Sequence, residues 1–265
     1  MPWITRGLRN GVLTTGWPAR RDEYFDEFPA VVDMNAAASP QTADTAARVC
    51  PTRAITVEPT PRLDRGRCIL CGRCVEAAPE AFFWQRGSDS AVLSRQALVV
   101  GDTGGLDGET DTAVAELRTQ LRRRVRRLRH SVHIRHVDAG SDGSDEWEVA
   151  ALLNPVYDIH RLGIFFTASP RHADILLVTG IGATAMVEPL RRTLDAMPNP
   201  IVVIAAGADA LSGGLIGGGY AGGTGIDDLV GVDVWVPGAP PSPFSLLHAI
   251  LLALGRVDPA GGRSQ

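Results

Sequence analysis

The sequence predicts two joined units: an α+β unit built around a cysteine segment and, beyond residue 130, an α/β unit with a parallel sheet. Three observations carry this. All four cysteines lie between Cys50 and Cys74. Short β-branched runs alternate with helical stretches only after residue 130, and strands alternating with helices mean a parallel sheet covered on both faces. A stretch rich in glycine and acids, G-D-T-G-G-L-D-G-E-T-D-T at 101–112, separates the two parts and reads as a linker ending in a helix N-cap. The expected boundaries are 1–108, a connecting helix at 109–130, and 131–265.

Each element has its own signature. In the connecting helix, roughly 112–130, Val114, Leu117, Leu121, Val125 and Leu128 recur at spacings of three and four, one apolar stripe. Its other faces carry Arg118, Arg122, Arg123, Arg124, Arg126, Arg127 and Arg129. These form either a solvated face or a face for an acidic partner or membrane headgroups. The candidate strands are Val132–Val137, Ile164–Thr167, Ile175–Thr179, Ile201–Ala205 and Val232–Val236. The candidate helices lie at roughly 145–152, 186–197 and 242–255. The glycine-rich loop at 212–225 has no phosphate-cradle motif, and without lysine it cannot have one.

Composition excludes several classes. The chain has 265 residues, 45% hydrophobic and 21% charged, with net charge −4. It is neither a disordered chain nor a globally basic nucleic-acid binder. All 26 basic residues are arginine. The apolar run at Phe244–Leu254 falls well short of the ~20 residues that span a bilayer, and the first ten residues lack the apolar core of a signal peptide. A cytoplasmic protein that meets the membrane only through partners is expected.

The cysteines carry the chemistry. Cys68, Cys71 and Cys74 form C-I-L-C-G-R-C, the C-x₂-C-x₂-C core that wraps three irons of a [4Fe–4S] cubane. The short spacers turn backbone N–H groups toward the sulfides, and Gly72 permits the turn. In a bacterial ferredoxin run the fourth cysteine follows three residues on, but here that position is Ala78, followed by Pro79. In two-cluster ferredoxins that fourth cysteine ligates the other cluster. Cys50-Pro51 supplies the missing ligand. Counting back from Cys50, the ligands of a second cluster would fall on Pro40, Ala43 and Ala46, with Ala78 as the fourth, and all four are gone. The reading is one [4Fe–4S] cluster held by Cys50, Cys68, Cys71 and Cys74 on a two-cluster ferredoxin-like framework. The alternative is a four-thiolate zinc site.

Longer stretches carry a resemblance. R-G-L-R-N-G-V-L-T-T-G-W-P at 6–18, C-P-T-R-A-I at 50–55 and L-D-R-G-R-C-I-L-C-G-R-C-V-E at 63–76 resemble the ferredoxin-type subunit of respiratory complex I and of energy-converting [NiFe] hydrogenases. H-I-R-H-V-D-A-G-S at 133–141, L-N-P-V-Y-D-I-H-R-L-G-I at 153–164, A-S-P-R-H-A-D-I-L-L-V-T-G at 168–180 and P-G-A-P-P-S-P at 237–243 resemble their small, 20 kDa-type subunit, including that of formate hydrogenlyase. The chain looks like a fusion of the two, which implies a ferredoxin-like domain followed by a flavodoxin-like one.

The resemblance also implies a proximal cluster in the second unit, and there the sequence departs. The family's C-x-x-C falls on Asp142-Gly143-Ser144-Asp145, its turn cysteine on Asp209, and its P-G-C-P-P on Pro237-Gly238-Ala239-Pro240-Pro241. No thiolate remains there. Asp142, Asp145 and Asp209 stand at the carboxyl ends of strands instead. They read as small polar filling facing water or partner arginines, as a hard-cation site, or as mutually repelling carboxyls with raised pKa values. His130, His133 and His136 span a change from helix to strand and are not expected to form one metal site.

The resemblance therefore implies an accessory subunit with one [4Fe–4S] cluster and no bond chemistry of its own. Its partners would be a large subunit of hydrogenase or complex I type and membrane subunits, with a redox donor such as ferredoxin, on the inner face of the cell membrane. The alternative is a non-redox structural subunit of a repurposed complex I-like ion-translocating assembly.

Overall fold

The computed structural model describes residues 2–20, 22–35, 38–101, 112, 116, 119–120, 122–123 and 131–257. From Val132 onward the chain builds a five-stranded parallel sheet from β6 (Val132–Asp138), β7 (Ile164–Phe166), β8 (Ile175–Thr179), β9 (Val202–Ala206) and β10 (Val234–Val236). The spatial order is β10-β9-β8-β6-β7. Numbered within the sheet this is 2-1-3-4-5, the doubly wound flavodoxin-like order. The strands and helices expected beyond residue 131 all form, with ends within a residue or two of their anticipated positions. Every residue of β8, β9 and β10 is buried, as continuous apolar strands covered on both faces must be.

Two apolar layers sandwich the sheet. On one side Ile134, Ile175, Ile204 and Val236 pack with Val149 and Leu152 and with the helix Pro243–Ala253. All eleven residues of that helix are buried, Ser245 and His248 among them, so every face of it is covered. Ser242 caps it by accepting a hydrogen bond from the Ser245 N–H at 3.2 Å, and Pro243 takes the first turn. On the other side Leu176, Val178, Val203 and Trp235 meet Leu190, Ala210 and Leu211.

An N-terminal segment completes the first layer. Trp17 stacks on Phe25 at 4.8 Å between ring centroids, and both rings meet Phe244 edge-on, at 6.2 and 5.5 Å. Phe28 and Tyr157 reach the same ring at 6.0 and 5.0 Å. Residues that precede the cysteines in the chain thus sit in the core of the parallel-sheet unit. A further helix, Pro2–Asn10, buries no residue and leaves Trp3 and Leu8 exposed.

The cysteine part has its own core of Val32, Met34, Ala46, Ile55, Leu63 and Phe82. The strand β1 (Pro29–Met34) pairs antiparallel with β4 (Phe82–Arg86), and β2 (Ile55–Thr56), β3 (Arg62–Asp64) and β5 (Val99–Val100) form a second small sheet. Pro40, Ala43 and Ala46, where the sequence reading placed the ligands of a lost second cluster, belong to a helix, Pro40–Val49, capped by Ser39. Ala43 and Ala46 are fully buried and Ala78 nearly so, and the helix packs against Arg73–Ala77. Close-packed alanines fill the space. The stripe Val114, Leu117, Leu121, Val125 and Leu128 lies outside the described residues, as do Arg118, Arg124, Arg126, Arg127, Arg129 and His130; the six described positions from Thr112 to Arg123 are helical and exposed.

His248, in the middle of the buried helix, is 2% exposed, and its Nδ1 has no hydrogen-bond partner. Burial pushes its pKa down to about 4, and Asp89 offsets only part of this. The unfolded chain therefore binds the extra proton between pH 6.5 and 4, so stability falls as pH is lowered through that window. His248→Leu is expected to flatten the melting temperature between pH 4 and 6.5; an unchanged acid slope refutes the assignment.

Candidate metal centre

The chain delivers the four cysteines from three short devices. Cys50 ends the helix Pro40–Val49, Cys68 follows the turn Arg65–Arg67, and Cys74 lies in the first turn of Arg73–Ala77. The turn before Cys68 is held by Asp64, which accepts from the Gly66 N–H at 2.9 Å and takes the fork of Arg95 at 2.8 and 2.6 Å. Arg65 is in turn paired with Asp33 at 2.8 Å. Between the cysteines the backbone takes left-handed turns at Leu70 (φ 56°) and Gly72 (φ 74°). A Cβ at Gly72 would press on the Trp84 ring at 3.0 Å, so glycine serves both the turn and the close approach.

The Ala54 N–H donates to Cys50 Sγ at 3.3 Å, and the backbone at Leu70 and Val75 favours the thiolate forms of Cys68 and Cys74. Cys68 and Cys74 are buried, Cys50 is half-buried and Cys71 is exposed. Burial, with repulsion from Cys74, Cys50 and Cys71, pushes the Cys68 thiol up to about 12. The Cys74 thiol is raised by the same causes, burial first. The four sulfurs lie within electrostatic reach of one another, but among the described residues no three His, Cys, Asp or Glu side chains, these cysteines included, are grouped to hold a metal ion. Four thiols of this kind are a donor set that an iron–sulfur cluster could use, with Cys68 and Cys74 buried and Cys71 open to solvent.

The second group of candidates lies at the carboxyl edge of the parallel sheet. Order reverses between β6 and β8, the switch point where open α/β sheets place their ligand crevice. Asp142 opens the turn into the helix Ser144–Ala151, accepting from the Ser144 hydroxyl at 2.6 Å and its N–H at 2.9 Å, which holds its carboxyl below the usual range. Asp145 is 3% exposed and its carboxyl rests on the Cα of Gly207. Burial, then Asp209, Glu146, Asp142 and Asp138, push its pKa up to about 8. Asp209 is pushed up to about 6 by burial, Asp142 and Glu146. It lies on a short helix, Gly207–Ser212, where the sequence suggested a turn; the φ of 92° at Gly207 makes the entry.

A network that the sequence reading missed adjoins them. Ser141 Oγ donates to Glu146 Oε2 at 2.6 Å, Glu146 Oε1 accepts from the Thr179 hydroxyl, and Thr179 meets His136 Nε2 at 3.0 Å. Burial holds the His136 imidazole below its usual value. The only signal was positional: Asp138 and Thr179 end neighbouring strands once the strand order is known. His133 stacks on Phe165 instead, away from His136. Among the described residues no three His, Cys, Asp or Glu side chains converge to hold one metal ion.

Comparison with known proteins supplies the family context. The family model described as NADH ubiquinone oxidoreductase, 20 Kd subunit, matches residues 143–253. Formate hydrogenlyase subunit 7 of Escherichia coli (strain K12) is 38% identical over 148 residues, 56% of this chain and 57% of that protein, so this chain spans little more than half of it. The probable membrane-bound hydrogenase subunit mbhJ of Pyrococcus furiosus is 37% identical over 144 residues, 53% of this chain and 86% of that one. A solved structure of the membrane-bound sulfane sulfur reductase, an archaeal respiratory membrane complex, aligns over 53% of this chain and 77% of its own, at 25% identity and a TM-score of 0.45.

Proposed function

Because the chain belongs to the family of the 20 kDa subunit of NADH ubiquinone oxidoreductase, we propose that it is an iron–sulfur subunit of a membrane-associated assembly of complex I or energy-converting hydrogenase type. The observation that carries the redox part is the run Cys68, Cys71 and Cys74 with Cys50 within electrostatic reach of it and the Ala54 N–H turned onto the Cys50 sulfur. A bound [4Fe–4S] cluster would accept and return single electrons there. The protein's share is to bury Cys68 and Cys74, to tune the site through the Ala54 N–H, and to hold the segment through Asp64 and Arg95. A zinc ion needs four sulfurs at ~2.3 Å from one point. The cubane puts each thiolate on a separate iron and suits sulfurs that share one field without converging. The parallel-sheet unit then serves to dock a large subunit, with the membrane reached through further subunits on its inner face. No helix among the described residues is long and apolar enough to cross a membrane.

One observation favours a second reading. Asp142, Asp145, Asp209 and Ala239 occupy the positions where the resembled small subunits carry cluster cysteines, so no second relay stands beside the first. A structural subunit in which the cysteine site only stabilises the fold would have the same sequence. Iron and acid-labile sulfide analysis of anaerobically purified protein, with EPR after dithionite reduction, separates the readings. The proposal expects about four iron and four sulfide per chain and a reversible reduced-cluster signal. Iron near zero with zinc bound, or a site that cannot be reduced without unfolding, supports the structural role.

A further inference from the structure

We propose that the helix Pro2–Asn10 lies on an anionic lipid surface, with Trp3, Ile4 and Leu8 in the apolar boundary and Arg6 and Arg9 toward the headgroups. This adds a direct membrane contact to the one made through further subunits, and it does not depend on the cysteine site. The helix has nine residues and buries none of them. Trp3 is 72% exposed and Leu8 81%. A helix shorter than about 12 residues is marginal in water without packing, and Gly7 lowers its propensity further. Such a helix needs a surface for its apolar side, and its own fold covers none of it.

The residue pattern selects the surface. At 3.6 residues per turn, Trp3, Gly7, Ile4 and Leu8 share an arc of about 140°, and Thr5, Arg9, Arg6 and Asn10 fill the rest. Residues 1–21 hold four arginines and no acid, whereas 22–27 hold four acids. A protein groove asks for side chains at fixed spacing and shape. A lipid surface asks only for a continuous apolar arc, tryptophan included, with cations opposite, and an anionic one rewards the absence of acids. Arginine stems can follow the apolar boundary while their guanidinium groups reach phosphate. The segment after the helix attaches it to the sheet unit. Val12 and Leu13 are still exposed. Beyond them the Thr14 hydroxyl donates to the Pro155 carbonyl at 2.7 Å, the Thr15 N–H to the Val156 carbonyl at 2.8 Å, and Arg161 to the Trp17 carbonyl. A helix seated on lipid would thus hold the sheet unit at the membrane through this clamp.

The test is flotation of the purified full chain with vesicles of three parts phosphatidylcholine to one part phosphatidylglycerol, and with vesicles of phosphatidylcholine alone. The chain is expected to float with the anionic vesicles, less with the neutral ones, and less at high salt. Leu8→Asp should abolish flotation and leave the melting temperature unchanged, because Leu8 is exposed in the fold. Arg6→Gln combined with Arg9→Gln should weaken binding to the anionic vesicles about 25-fold, at about fivefold per arginine near such a surface. The emission of Trp3, taken as the difference from Trp3→Phe, should shift to the blue on binding. The proposal is overturned if the chain does not float, if Leu8→Asp floats as well as the parent, or if neutral vesicles capture the chain equally. It is also overturned if, without vesicles, the chain sediments as a dimer that Leu8→Asp converts to monomer, which would make the face a contact between copies.

Discussion

Cys68→Ser is expected to strip the iron from the chain, from about four per molecule to below one, and to melt the cysteine unit while the parallel sheet stays folded. Cys68 is buried among Val32, Leu63 and Phe82, so a hydroxyl there is a poor ligand and also an unsatisfied polar group. In the proposed cluster, removing one ligand would leave three thiolates whose mutual repulsion the metal no longer balances. In small metal domains binding energy is folding energy, on the order of 10 kcal/mol for structural zinc, so loss of the cluster is felt as loss of fold. Cys71 is exposed and contributes less packing. Cys71→Ser should lose iron more slowly and keep more secondary structure. Iron and sulfide assays with far-UV circular dichroism check both variants, and full iron content in Cys68→Ser refutes the ligand assignment.

Phe244→Ala is expected to cost about 3–5 kcal/mol, the usual range for a buried aromatic, and to release the N-terminal segment. Phe244 is 1% exposed and touches Trp17, Phe25, Phe28 and Tyr157. Edge-to-face pairs add about 0.5–1.5 kcal/mol each beyond area burial, and the variant loses four at once. Urea unfolding should show a lower midpoint, and limited proteolysis should open new cleavage around 18–28. Phe244→Leu keeps most of the volume and should lose much less. Equal losses in the two variants would mean that the ring geometry contributes nothing.

Much of the parallel sheet was legible because its strands are short apolar runs bounded by glycine and proline, a pattern local to each strand. Ile175–Thr179 could be read from five letters. The order β7-β6-β8 could not, and with it went the Glu146–Thr179–His136 network, which exists only because β6 and β8 are neighbours. The spacing of Cys68, Cys71 and Cys74 marked the segment that the turns at Leu70 and Gly72 shape, and Pro40, Ala43 and Ala46 were singled out only by counting back from Cys50. That these three belong to a packed helix was less legible, although Ser39 and Pro40 form an ordinary helix start. The place of Trp17 and Phe25 was invisible, since a contact between residues more than two hundred apart leaves no periodic trace near either.

That last contact has a consequence for synthesis. Trp17 and Phe25 leave the ribosome long before Phe244, and the layer they share closes only when the last helix arrives. Loop closure over such a separation is slow, and folding advances domain by domain from the N-terminus. The cysteine unit can therefore finish while the sheet unit still waits for its final helix. During that interval the early aromatic residues are exposed clients for a chaperone, and a nascent chain stalled before residue 243 should be held by one.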